Sequence, residues 1–89
     1  MTTTPRPVVA WFADQIEAAL QRNDGKPHWG DQTTMHLVDK LREEADELIE
    51  ALFSNNPVRI QEEAADLSAI ALMLADRSRA TPSRDRGRA

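Results

Sequence analysis

The chain has 89 residues, 29% of them charged, a net charge of −4 and no cysteine. Without cysteines no disulfide framework can hold it, and the excess of acid argues against a nucleic-acid surface spread over the domain. A chain of this length buries only about 60% of its unfolded surface, so a single marginal domain supported by self-association is expected.

The charge is unevenly distributed. Residues 8–76 carry fourteen acids against Arg22, Lys26, Lys40, Arg42 and Arg59, whereas Arg6, Arg77, Arg79, Arg84, Arg86 and Arg88 gather near the ends. Residues 1–7 read as a disordered N-terminus. A first helix is expected over 8–21, with Val8, Phe12, Ile16, Ala19 and Leu20 on one face and Pro7 suited to its first turn. Gly25, Pro27 and Gly30 punctuate a loop over 22–32. A second helix starts near Asp31, Thr33 and Thr34, all able to cap free amides, and ends around Ser54. Its stripe is Leu37, Leu41, Ala45, Leu48, Ile49 and Leu52. Asn56 as cap and Pro57 at the first helical position open a third helix that runs to about Arg77. Residues 67–75 are apolar nearly all round, which in so small a chain predicts burial against another subunit. That run is far short of the roughly 20 residues that span a bilayer, and residues 8–13 are too short for a signal-peptide core. A cytoplasmic location is expected. The remainder, 78–89, has the composition of a basic, disordered tail. The fold class is therefore all-α: one domain over 8–77, a small bundle of three main helices completed by homo-oligomerisation.

Two carboxylate pairs stand out, Glu44 with Glu47 and Glu63 with Asp66. At about 100° per residue, Glu44 projects into the edge of the second helix's stripe and Glu47 lies beside it, while Glu63 and Asp66 continue the line of Leu67, Ile70, Met73 and Leu74. Spacing of i, i+3 brings each pair together on its helix. Buried carboxylates are rare unless compensated, and four turned inward on consecutive helices call for a cation. Oxygen ligands of this kind suit Mg²⁺, with Mn²⁺ as the alternative, and the site then points to phosphate chemistry. Glu43, Asp46 and Glu50 face outward.

The run 40–48, Lys-Leu-Arg-Glu-Glu-Ala-Asp-Glu-Leu, with Glu63-Ala64-Ala65-Asp66-Leu67 beyond it, resembles the MazG-like all-α nucleoside triphosphate pyrophosphohydrolases. The loop Lys26-Pro27-His28-Trp29-Gly30 is similar to the tryptophan-bearing loop ahead of the first metal helix in that superfamily. The resemblance covers roughly residues 8–76. It implies a helical bundle completed by dimerisation or tetramerisation, Mg²⁺ held by Glu44, Glu47, Glu63 and Asp66, and cleavage of (deoxy)nucleoside triphosphates to monophosphate and pyrophosphate. Glu47 is the expected proton acceptor, with Glu43 assisting. Lys26, His28, Trp29 and Lys40 are the expected substrate contacts. The chain has no evident further basic helix, so phosphate neutralisation falls to Lys26, Lys40, Arg77, Arg79 or a partner chain, and a homodimer is preferred to a tetramer. Phosphoribosyl-ATP pyrophosphohydrolases share the carboxylate pattern and form the alternative; the loop tryptophan favours the MazG-like branch. A helical dimerisation module with merely superficial acids is the alternative from another class.

The other singular residues carry weaker signals. Trp29 either stacks on a nucleobase or plugs the end of the bundle. Trp11 lies off its helix's stripe, as an intersubunit contact would. His28 and His36 lack the Glu-x-x-His spacing of di-iron bundles and read as solvated or capping. Met35 and Met73 read as core.

Overall fold

The computed structural model describes residues 3–80. Three helices carry the fold: α1 over Pro7–Arg22, α2 over Thr34–Ser54 and α3 over Pro57–Ala80, with a single 3₁₀ turn at Trp29–Asp31 between the first two. The all-α class expected from the sequence is the class observed, and no strand occurs among the described residues.

Local chemistry sets the boundaries. Pro7 opens α1, where its missing N–H costs nothing. Thr33 caps α2, its Oγ1 accepting from the His36 amide at 3.0 Å. At the other end Asn55 turns left-handed with φ 57°, the conformation that halts a helix and that asparagine tolerates. Asn56 then caps α3, its Oδ1 accepting from the amides of Val58 at 3.1 Å and Arg59 at 3.3 Å. The third helix continues three residues past the expected end at Arg77, so Ser78, Arg79 and Ala80 belong to it rather than to a tail. The rest of the tail, 81–89, lies outside the described residues, as do residues 1–2 of the N-terminal segment.

The third helix is the spine, and each neighbour uses a different face of it. Against α1 the contact is made of alanines: Ala19, Ala65 and Ala69 are fully buried, flanked by Phe12, Ile16 and Leu20. Small residues here bring the two backbones close. Against α2 the contact is Leu37, Ile70 and Met73, with Leu20, Trp29, Leu41 and Leu74 packed around them. Two contact faces on one helix account for much of the apolar surface of α3. Burial is nonetheless incomplete, since Leu72 remains 38% exposed.

Some apolar residues lie elsewhere than expected. Ala51 is fully buried on α2, whereas Ile49 and Leu52 are more than half exposed. The inward-facing seam runs Leu37, Leu41, Glu44, Leu48, Ala51, in alternating steps of four and three residues. Met35 is on the surface, not in the core, because it precedes that seam in the first turn of α2; Met73 is buried. Val8 at the start of α1 is also exposed, beyond the reach of α3's alanines. Trp11 is 44% exposed and tilted against Phe12, with ring centroids 5.8 Å apart. No helix among the described residues is long and apolar enough to cross a membrane.

Candidate metal centre and adjoining cavity

The seam between α2 and α3 becomes acidic one turn above the Leu37–Ile70–Met73 layer. Glu44 follows Leu41 in the α2 seam, and Glu63 and Asp66 lie on α3 before Ile70. One carboxylate oxygen from each of the three lies within 4.8 Å of the others. In an octahedral Mg²⁺ sphere with bonds near 2.1 Å, adjacent ligands stand about 3.0 Å apart, so these side chains would have to draw in by up to nearly 2 Å to share one ion. All three residues are half-buried. Glu44 Oε2 and Glu63 Oε2 are shut off from solvent and receive no hydrogen bond.

Those orphaned oxygens are what a cation would satisfy. Desolvation pushes the Glu44 carboxyl up to about 7, helped by a hydrogen bond shared with Glu47 and by the charges of Glu47, Asp66 and Glu63. Desolvation likewise raises Glu63, with Glu47 and Asp66 adding to the effect and Arg59 opposing it. Carboxyl groups held in this way are short of positive charge, and the donor set is all oxygen. A divalent, oxygen-seeking cation fits the residues present.

The fourth expected member, Glu47, sits on the solvent side of the cluster and interacts with both Glu44 and Glu63. It is exposed rather than turned inward, because Leu48 takes the seat in the seam that follows Glu44. Glu43 is exposed and pairs with Lys40 at 3.5 Å, outside the three-carboxylate group. The sequence also gave no sign that Arg22, the last residue of α1, reaches Asp66 with Nη2 2.8 Å from Oδ1.

Next to the acids, where the α1–α2 connection folds over the seam, lies a cavity of about 320 Å³. Leu37, Ile70 and Met73 contribute apolar lining, and Lys26, His28, Trp29 and Lys40 all border it. None of the three acids lines the cavity, but Lys40 is one turn before Glu44 on α2 and Ile70 one turn after Asp66 on α3. His36, set aside by its spacing, lines the cavity as well, one turn ahead of Lys40. Trp29 is partly buried, and its Nε1–H donates to Asp76 Oδ2 at 3.1 Å. The Arg79 guanidinium, 2.6 Å from Asp76 Oδ1, and this indole bond together hold the Asp76 carboxyl below its ordinary range. His28 stacks on Trp29 with centroids 4.3 Å apart, while its Nδ1 accepts from the Gly30 amide at 2.9 Å. With Nδ1 accepting, the ring proton sits on Nε2. A side chain on Gly30 would crowd that nitrogen, its Cβ only 3.0 Å away.

Searches of curated proteins and of solved structures returned no match. A family model described as phosphoribosyl-ATP pyrophosphohydrolase does match, over residues 9–84. That finding reverses the preference drawn from the loop tryptophan and favours the branch first held as the alternative. The chain belongs to the phosphoribosyl-ATP pyrophosphohydrolase family, itself part of the MazG-like all-α nucleoside triphosphate pyrophosphohydrolase superfamily.

Proposed function

We propose that this protein is a divalent-metal-dependent pyrophosphohydrolase that opens the α–β phosphoanhydride of an ATP derivative of the phosphoribosyl-ATP type, leaving the monophosphate and pyrophosphate. The observation that carries the reading is the convergence of Glu44, Glu63 and Asp66, two of whose oxygens are buried without a donor. The family match supports the reaction class. Glu44, Glu63 and Asp66 hold the ion, Mg²⁺ in first place and Mn²⁺ as the alternative. Such an ion, when bound, neutralises charge on phosphate oxygens and makes water a competent nucleophile near neutral pH.

The chain's own residues supply the rest. Glu47, solvent-facing yet coupled to the cluster, accepts the proton of the attacking water. Glu43 acts from further out, holding Lys40 at the rim. Lys40 and Lys26 meet the negative charge of the substrate, and the cavity beyond them takes its organic part against Leu37, Ile70 and Met73. The acidic body keeps polyphosphate away unless it arrives with its cation.

A second reading, hydrolysis of ordinary (deoxy)nucleoside triphosphates, draws on the His28–Trp29 stack, an aromatic surface at the cavity of the kind that receives a base. A homodimer is part of the proposal. Ile49, Leu52, Phe53 and Val58 are all more than half exposed around the α2–α3 turn, with Phe53 at 83%. Light scattering of the purified chain reads that state directly.

The test is pyrophosphate release from phosphoribosyl-ATP and from a panel of nucleoside triphosphates, with Mg²⁺ or Mn²⁺, beside E44Q and E63Q. Release from phosphoribosyl-ATP that both variants abolish upholds the proposal. Release from the triphosphates alone moves the assignment to the second reading. No release from any substrate, with no metal-induced rise in Tm, would sink the metal-dependent hydrolase altogether.

A further inference from the structure

Asp66 has two claims on it. It is a member of the three-carboxylate group, and its Oδ1 is also held by Arg22 at 2.8 Å. The fold sets that contact. Arg22 comes one turn after Ala19, and Asp66 immediately follows Ala65, so the closest alanine packing of α1 on α3 delivers the guanidinium to the carboxylate. Asn23 Nδ2 donates to the Ala19 carbonyl at 2.9 Å and secures the end of α1 on which Arg22 stands. The Arg22 side chain is 54% exposed, against 28% for Asp66, so one partner is free to swing while the other is not. Two other basic residues pair with acids outside the three-carboxylate group, Lys40 with Glu43 at 3.5 Å and Arg59 with Glu50 at 3.7 Å.

We propose that Arg22 is an exchangeable cation: a divalent ion taking Asp66 displaces the guanidinium, which then binds a phosphate oxygen of the incoming polyphosphate. The inference rests on the reading of the carboxylates as a metal site. A fixed positive charge beside a ligand oxygen opposes a second cation there, and only one of them can use that lone pair fully. Once turned away, the guanidinium fork is built to grip a phosphate with two parallel N–H bonds. Arg22 is thus a positioning group for Asp66 and, after the exchange, a substrate ligand.

The experiment titrates the full chain with Mg²⁺ by calorimetry at pH 8, comparing wild type, R22Q and R22K, with E63Q as control. The expected result is roughly tenfold tighter Mg²⁺ binding in R22Q, near wild-type affinity in R22K, and strong loss in E63Q. Pyrophosphate, titrated in the presence of Ca²⁺, then binds roughly tenfold more weakly to R22Q, with partial recovery in R22K. Equal or weaker Mg²⁺ affinity in R22Q, with its helicity intact by circular dichroism, overturns the exchange and leaves an ordinary ion pair. Unchanged pyrophosphate affinity in R22Q overturns the phosphate contact. Absence of Mg²⁺ binding to wild type and E63Q alike overturns the metal reading together with this one.

Discussion

The two contacts made by α3 solve opposite problems. Against α1 it buries Ala19, Ala65 and Ala69, with nothing polar at the centre. Against α2 it begins the same way, at Leu37, Ile70 and Met73, and then closes Glu44 Oε2 and Glu63 Oε2 away from water with no donor. Burying carboxylates without partners costs stability, and a small chain has little to spare. The difference teaches that the α1–α3 contact maintains the fold, whereas the upper α2–α3 contact gives up stability to gather carboxylates that could bind a metal.

The comparison can be broken most directly by E44Q. Removing one charge relieves the repulsion with Glu47, Asp66 and Glu63 but removes a metal ligand. Pyrophosphate release should fall by at least about a hundredfold, the upper end of what loss of an outer-shell partner does, while the Tm measured without metal holds or rises. A drop in both would mean that Glu44 supports the fold in the way the alanines do. On the opposite contact, Ala19→Leu overfills the closest approach of the two helices. It should destabilise by about 1–3 kcal/mol in a denaturant titration and loosen the Arg22–Asp66 pair with it. Trp29→Phe keeps most of the ring but loses the bond to Asp76. An unfolding transition about 1 kcal/mol weaker is expected, with the alanine contact unaffected.

The smallest effect concerns pH. The folded Glu44 carboxyl sits at about 7 against an ordinary 4.5. Its protonated form therefore favours the folded state at acid pH, and that contribution is lost as pH rises from the unfolded value through the folded one. Without metal, Tm should be higher at pH 5.5 than at pH 8; solvent screening of a carboxyl that is only half-buried reduces the effect to about 0.5 kcal/mol, or roughly 2–4 °C. Millimolar Mg²⁺ should close the gap from the alkaline side, because only the deprotonated ligands bind it. Scanning calorimetry at the two pH values, with and without Mg²⁺, reads both halves. A metal-induced shift of equal size at both values would show that Glu44 is not a ligand.

Much of this was legible in the residues. Thr33, Asn56 and Pro57 mark helix starts by chemistry that acts within three or four residues, and the structure uses each of them as a sequence would suggest. Glu44, Glu63 and Asp66 could be brought together on paper because helical phase carries over a turn or two. Ala51 escapes notice because so small a side chain adds little to an apolar stripe, although its position continues the line of Leu37 and Leu48. Arg22 with Asp66, and Trp29 with Asp76, are separated by 44 and 47 residues. Such pairings depend on how the helices sit across one another, and no local pattern encodes that.

The turn at Asn55 and Asn56 acts as a phase-setter. With a left-handed residue followed at once by a cap and Pro57, it leaves no slack between α2 and α3. A single residue inserted there turns the whole of α3 by about 100° relative to α2. Leucines and methionines on a broad apolar face can find new neighbours after such a turn, but Glu63 and Asp66 cannot find Glu44 again. Lengthening this connection therefore separates two things that point substitutions tend to damage together, a folded helical chain and a site able to hold a cation.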